Sequence, residues 1–156
     1  MTRSCRVGRV VGVDYGTRRL GFAVSDPTGM LASAHCVRIV RGVKDAAQAV
    51  IEICREQEAE KLVLGFPLNM DGSSGPIAEA VQAFRDKLVP RLGIPIELWD
   101  ERWTSKSAED ALIEAGTRRD QRKQLIDKVA AQIMLQHYLD AQAAKAERDA
   151  WDQEQE

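Results

Sequence analysis

The stretch Arg9–Asp26, RVVGVDYGTRRLGFAVSD, decides the fold. Two valine-rich runs, at about residues 7–15 and 20–26, flank a short basic turn containing Gly16, and this pattern reads as an antiparallel hairpin. Gly16 is expected to supply an unusual backbone angle there. Asp14 stands at the end of the first apolar run, where a carboxylate is costly unless something pairs with it. The rest of the chain must provide its partner.

Beyond Pro27 and Gly29, residues 30–40 (MLASAHCVRIV) read as a third strand. Residues 45–58 place Ala46, Ala49, Val50, Ile53 and Cys54 at helical spacing, with charges on the other side. KLVLGF at 61–66 predicts a fourth strand, and the breaker-dense PLNMDGSSGP that follows it a loop. A helix over about residues 76–89 carries Ile77, Val81, Phe84 and Leu88 and is expected to end near Pro90 and Gly93. IPIELW at 94–99 predicts a fifth strand. Thr104 or Ser105 then caps a helix to Ala115 that stops at Gly116. A last long helix starts between Gln121 and Leu125 and passes Leu139. The order predicts an α/β fold: a five-stranded mixed sheet, its first three strands antiparallel and the later ones parallel, with helices on both faces. Residues 1–142 are expected to form a single domain and residues 143–156 a charged C-terminal helical extension or tail.

At 44% hydrophobic and 29% charged residues, the chain has the balance of a globular protein, with little aromatic content (5%) to fill its core. A net charge of −2 excludes a protein that coats nucleic acid through global charge, so any such contact must be local. Three cysteines without CxxC spacing and two histidines argue against a disulfide framework and a zinc site. No stretch approaches the roughly 20 apolar residues of a membrane span, and the start of the chain lacks the apolar core of a secretory signal. The expected location is the cytoplasm, with no membrane partner.

If the first, fourth and fifth strands are parallel neighbours, their carboxyl ends share the edge where open α/β sheets bind ligands. Asp14 falls there, together with the loop beginning at Gly65 and the pair Asp100–Glu101. Within that pair Asp100 suits capping or orienting backbone groups, whereas Glu101 has the longer reach. Asp127 shares its helical face with Ala130, Ala131, Met134 and Tyr138, an inward apolar stripe. Clustered carboxylates repel one another unless a cation neutralises them. An all-oxygen site suits Mg2+ or Mn2+. Two such ions about 4 Å apart activate water and stabilise the leaving oxygen of a phosphodiester. The chemistry implied is hydrolysis of nucleic acid.

GVDYGTRRLGFAVSD, VLGFPLNMDGSSGP, DERWTSKSAEDALIEAG and IDKVAAQIMLQHYLD, in that order, resemble the successive motifs of the YqgF (RuvX) family, over about residues 7–142. The resemblance implies a ribonuclease H-like fold related to Holliday-junction resolvases. It also implies a metal-dependent endonuclease that acts on branched DNA or matures the 5′ end of pre-16S rRNA. By position, Asp14 matches the family's first-strand acid, Glu101 the acid of the DER motif and Asp127 the acid of the last helix.

Around these acids, Thr17 and Arg18 of the turn and Asn69 of the loop are candidates for phosphate contact. Arg118, Arg119, Arg122 and Lys123, against one acid, Asp120, form a local basic group suited to a nucleic-acid backbone. Two other readings compete. DYGT followed by Asp26 also resembles the first phosphate motif of actin-like ATPases and sugar kinases, whose sites lie between two domains. The same fold also serves as a non-catalytic module binding RNA or the transcription machinery. RNA and DNA substrates, and monomer and homodimer, all stay open at this level.

Overall fold

The computed structural model describes residues 8–16, 18–66, 76–100 and 119–155, with backbone only at 66, 76–78, 100 and 119–128. Strands β1 (Val10–Asp14), β2 (Arg19–Ser25) and β3 (Ala32–Ile39) form an antiparallel meander. Helix α1 (Val43–Glu56) leads to β4 (Lys61–Phe66), and α2 (Pro76–Leu92) to β5 (Ile96–Asp100). Both β4 and β5 join in parallel, giving the sheet order β3-β2-β1-β4-β5. Helix α3 (Arg119–Gln155) ends the described chain. The helix expected between residues 104 and 115 lies outside the described residues.

Strand alternation sorts the core into two layers. Val11, Val13, Leu20, Phe22, Leu62 and Leu64 pack against α1 and α2. Val10, Ala23 and Val63 pack against Ala131, Met134, Leu135 and Tyr138 of α3. Helices therefore cover both faces, as the element order predicts. Full burial of a side chain such as Phe22 or Leu64 contributes about 1.5–3 kcal/mol. On α1 the expected stripe is buried, and Ala47 and Ile51 widen it. Among the described side chains of α2, Val81, Phe84 and Leu88 are buried, and Ile77 lies outside them.

One local expectation needs correction. Gly16 does not have a positive φ; it is needed because a Cβ there would lie 2.4 Å from the Arg19 carbonyl oxygen across the turn. Helix α2 ends between Pro90 and Gly93 as expected, running through Pro90 to Leu92, with Gly93 at φ 68 turning the chain out. Proline removes only one helical hydrogen bond, and in the last turn few others depend on it. The charged segment after residue 142 continues α3 as helix to Gln155, exposed throughout. No described helix is long and apolar enough to cross a membrane.

Candidate active site at the carboxyl edge of the sheet

Asp14 closes the central strand. Val11 and Val13 point to the α1 and α2 layer, whereas Val10 and Gly12 meet α3, so alternation turns the half-buried Asp14 to the α3 face. Its register partners are Gly21 on β2 and Gly65 on β4, and neither adds a side chain beside the carboxylate. Gly65 opens the loop expected at this edge, whereas Gly21 is not among the residues expected there; the LGF tripeptide at both 20–22 and 64–66 is the signal that marks it. The next residue, Tyr15, packs its ring 5.0 Å from that of Phe84, which ties the strand end to α2. Phe66 and Asp100 lie opposite each other at the ends of β4 and β5. The carboxyl ends of three parallel strands thus share one edge.

Helix α3 crosses this face with the expected residues inward: Ala130, Ala131, Met134 and Tyr138 are at most 1% exposed. Its axis comes close to β1, because a Cβ on Gly12 would lie 3.1 Å from Leu135 Cβ. Gln136 Oε1 accepts from the Ala32 amide at 2.8 Å, and its Nε2 donates to the Met30 carbonyl at 3.0 Å. Gln132 Nε2 donates to the Ala32 carbonyl at 3.2 Å. This glutamine pair satisfies backbone groups of the edge strand β3, a role that spacing of polar residues alone does not reveal.

On the β5 side, Tyr138 anchors α3 in a second cluster. Its ring meets Trp99 edge-on at 5.3 Å, and Lys61 Nζ lies 5.2 Å from its centroid. Lys61 also pairs with Glu97 at 3.2 Å. Burial works to raise the Glu97 carboxyl, but the Tyr138 hydroxyl and Lys61 outweigh it and hold it below its ordinary value. Burial first, then the nearby Glu97 carboxylate, push the Tyr138 phenol well above its usual range. The hydroxyl makes no well-aligned hydrogen bond among the described residues, so the contact with Glu97 is mainly electrostatic. Both glutamines and this aromatic cluster hold α3 at a set distance from the strand ends.

Of the residues expected at the site, the structure shows Asp14 in full and the backbone of Asp100 at the end of β5. Arg18 is exposed at the start of β2, its carbonyl accepting from the Val40 amide at 2.8 Å. Arg119, Arg122, Lys123 and Asp127 fall in the first three turns of α3, with side chains outside the described residues. Thr17, Asn69, Glu101 and Arg118 lie outside them altogether. Among the described residues no group of three or more His, Cys, Asp or Glu side chains is placed to hold a metal ion. Asp26 is at the other end of the sheet. Its carboxylate accepts from the Met30 and Leu31 amides, both at 2.9 Å, and from the Thr28 hydroxyl, so it organises a turn rather than a phosphate site.

Comparison with known proteins follows the same lines. A protein of Syntrophomonas wolfei described as "Putative pre-16S rRNA nuclease" is 48% identical over 132 residues, covering 85% of this chain and 94% of its own. A Myxococcus xanthus protein of the same description is 44% identical over 133 residues, covering 85% and 88%. Among solved structures, Thermus thermophilus RuvC in complex with a Holliday junction substrate superposes with a TM-score of 0.55 at 18% identity, over 87% of this chain and 96% of that one. The Fowlpox virus resolvase with Holliday junction DNA gives 0.55 at 13% identity, over 85% and 97%. These two likenesses establish a resolvase-type, ribonuclease H-like fold. The family model described as "RuvX: Holliday junction resolvase" matches residues 8–141, and the chain belongs to that family.

Proposed function

We propose that this protein is a divalent-metal-dependent endonuclease of structured nucleic acid, acting in 5′-end maturation of pre-16S rRNA in the cytoplasm. The observation that carries the reading is Asp14: a half-buried carboxylate on the central strand, turned to the α3 face and flanked in register by two glycines. The description of the curated relatives supports the rRNA substrate, and that of the family supports branched DNA as the substrate to test beside it. Both favour nuclease chemistry over the actin-like ATPase and non-catalytic readings.

Asp14, Glu101 and Asp127 are the proposed metal ligands and catalytic residues, with Asp100 orienting the segment. Glu101 follows directly on Asp100, the last residue of β5. Counting back from buried Ala130, Ala131, Met134 and Tyr138 by three, four, seven and eleven reaches Asp127. The donor chemistry fits a hard divalent cation, Mg2+ or Mn2+, because all three groups are carboxylates. When bound, such an ion activates a water and stabilises the leaving oxygen of a phosphodiester. Thr17, Arg18 and Asn69 contact the phosphates beside the acids. Arg118, Arg119, Arg122 and Lys123 neutralise the backbone farther along.

The test is a cleavage panel of pre-rRNA, single-stranded RNA and a four-way DNA junction, with Mg2+ and Mn2+, run beside Asp14→Asn. The variant is expected to lose cleavage while keeping its fold by circular dichroism and most of its nucleic-acid affinity. Undiminished cleavage by the purified variant overturns the assignment of Asp14.

A further inference from the structure

A second charged surface stands at the same sheet end as Asp14, on the side away from β5. Arg19, the first residue of β2, lies opposite Ile39, the last of β3, and the Val40 amide bonds the Arg18 carbonyl. The Arg41 amide donates to Asp45 Oδ2 at 3.0 Å, fixing the turn into α1. Arg18, Arg41 and Lys44 are thereby gathered at one corner, all three exposed. None of them is held in an ion pair among the described residues, whereas nearby Arg38 is committed to Glu52 at 2.5 Å. Ile39, 74% exposed, and Val43, 39% exposed, neighbour Arg41 and Lys44 along the chain.

Three uncommitted cations against one acid, Asp45, repel one another and attract a polyanion. Strands are about 4.8 Å apart, so β3 lies about 10 Å to the side of β1. We infer that Arg18, Arg41 and Lys44 form a phosphate-binding corner gripping the substrate backbone to the β3 side of the bond at Asp14. The inference rests on the nuclease reading above and adds Arg41 and Lys44 to its substrate contacts. It also answers how a chain of net charge −2 holds nucleic acid.

The experiment measures binding by the full-length Arg41→Ala/Lys44→Ala variant, without divalent metal, to RNA and DNA duplexes of about 20 base pairs. Affinity is expected to fall about tenfold at about 0.1 M salt, and the slope of log K against log salt to flatten by about 1.8. Arg41→Lys/Lys44→Arg should restore both, which separates charge from misfolding. Arg85→Ala/Lys87→Ala, on the exposed face of α2, should change neither. A loss on either duplex supports the corner, and the duplex that loses more identifies the preferred sugar. Unchanged affinity and slope overturn the inference and leave the corner to an acidic protein partner. Absence of cleavage of every substrate in the panel by the unsubstituted protein would instead overturn the nuclease reading and leave the binding result standing.

Discussion

Asp14 and Asp26 are both acids at strand ends in the opening hairpin, and their surroundings give them opposite roles. Asp26 is partly exposed, and the Leu31 amide, the Thr28 hydroxyl and the Met30 amide together lower its carboxyl to about 2. A folded pKa below the unfolded one means that its contribution is present above about pH 4 and lost as pH falls toward 2. Solvent screening keeps that contribution small. Asp26→Asn is therefore expected to flatten stability measured across that acid window while leaving cleavage at neutral pH unchanged. Cys54 illustrates burial acting alone: desolvation pushes its thiol up to about 12. Thiol-labelling reagents at pH 8 should react with Cys54 only as the protein unfolds. Fast labelling in the native state would show that α1 opens. Neither distinction follows from residue type. The hydrogen bonds around Asp26 and the layer over Cys54 exist only after the chain has folded.

Among the elements, α3 and β1 depend on each other most closely. Gly12→Ala places a methyl 3.1 Å from Leu135 Cβ, and overpacking of this kind costs about 1–3 kcal/mol. Denaturant melts should show that loss, and kcat should fall with it because the displaced helix carries Asp127. An unchanged kcat in a destabilised Gly12→Ala protein would separate the helix position from catalysis. At the opposite end of β1, Ser25 is 3% exposed and its Oγ accepts from the Val10 amide at 2.8 Å. Ser25→Ala leaves that buried amide unsatisfied, so about 1–3 kcal/mol of stability is expected to go, with little change in kcat. Periodicity located these elements well, because each buries a face and burial imposes a period of two or 3.6 on the residues. Element ends were less legible. Pro90 forbids a bond within a helix, but it does not forbid being in the last turn.

Over the whole molecule, the family match ends at residue 141 while α3 continues to Gln155 with its side chains exposed. Removing residues 148–156 is expected to leave the melting temperature and cleavage nearly unchanged, since every described residue of that span is exposed. A large fall in either would assign the extension a structural or binding role. The amino-acid order by itself determined the mixed five-stranded sheet, the two-sided helical cover, the edge to which Asp14 is carried and the inward stripe of α3. Those features follow from local chemistry: alternation, helical spacing and turn residues act over a few residues at a time, and each crossover over one helix. Only the tertiary structure decided that Gly21 and Gly65 flank Asp14, that Gln132 and Gln136 hold the edge strand, and that Lys61, Glu97, Trp99 and Tyr138 meet. It also decided that Arg18 shares a corner with Arg41 and Lys44. These groups join residues far apart in the chain, and their meeting depends on register and packing, which no short stretch of sequence encodes.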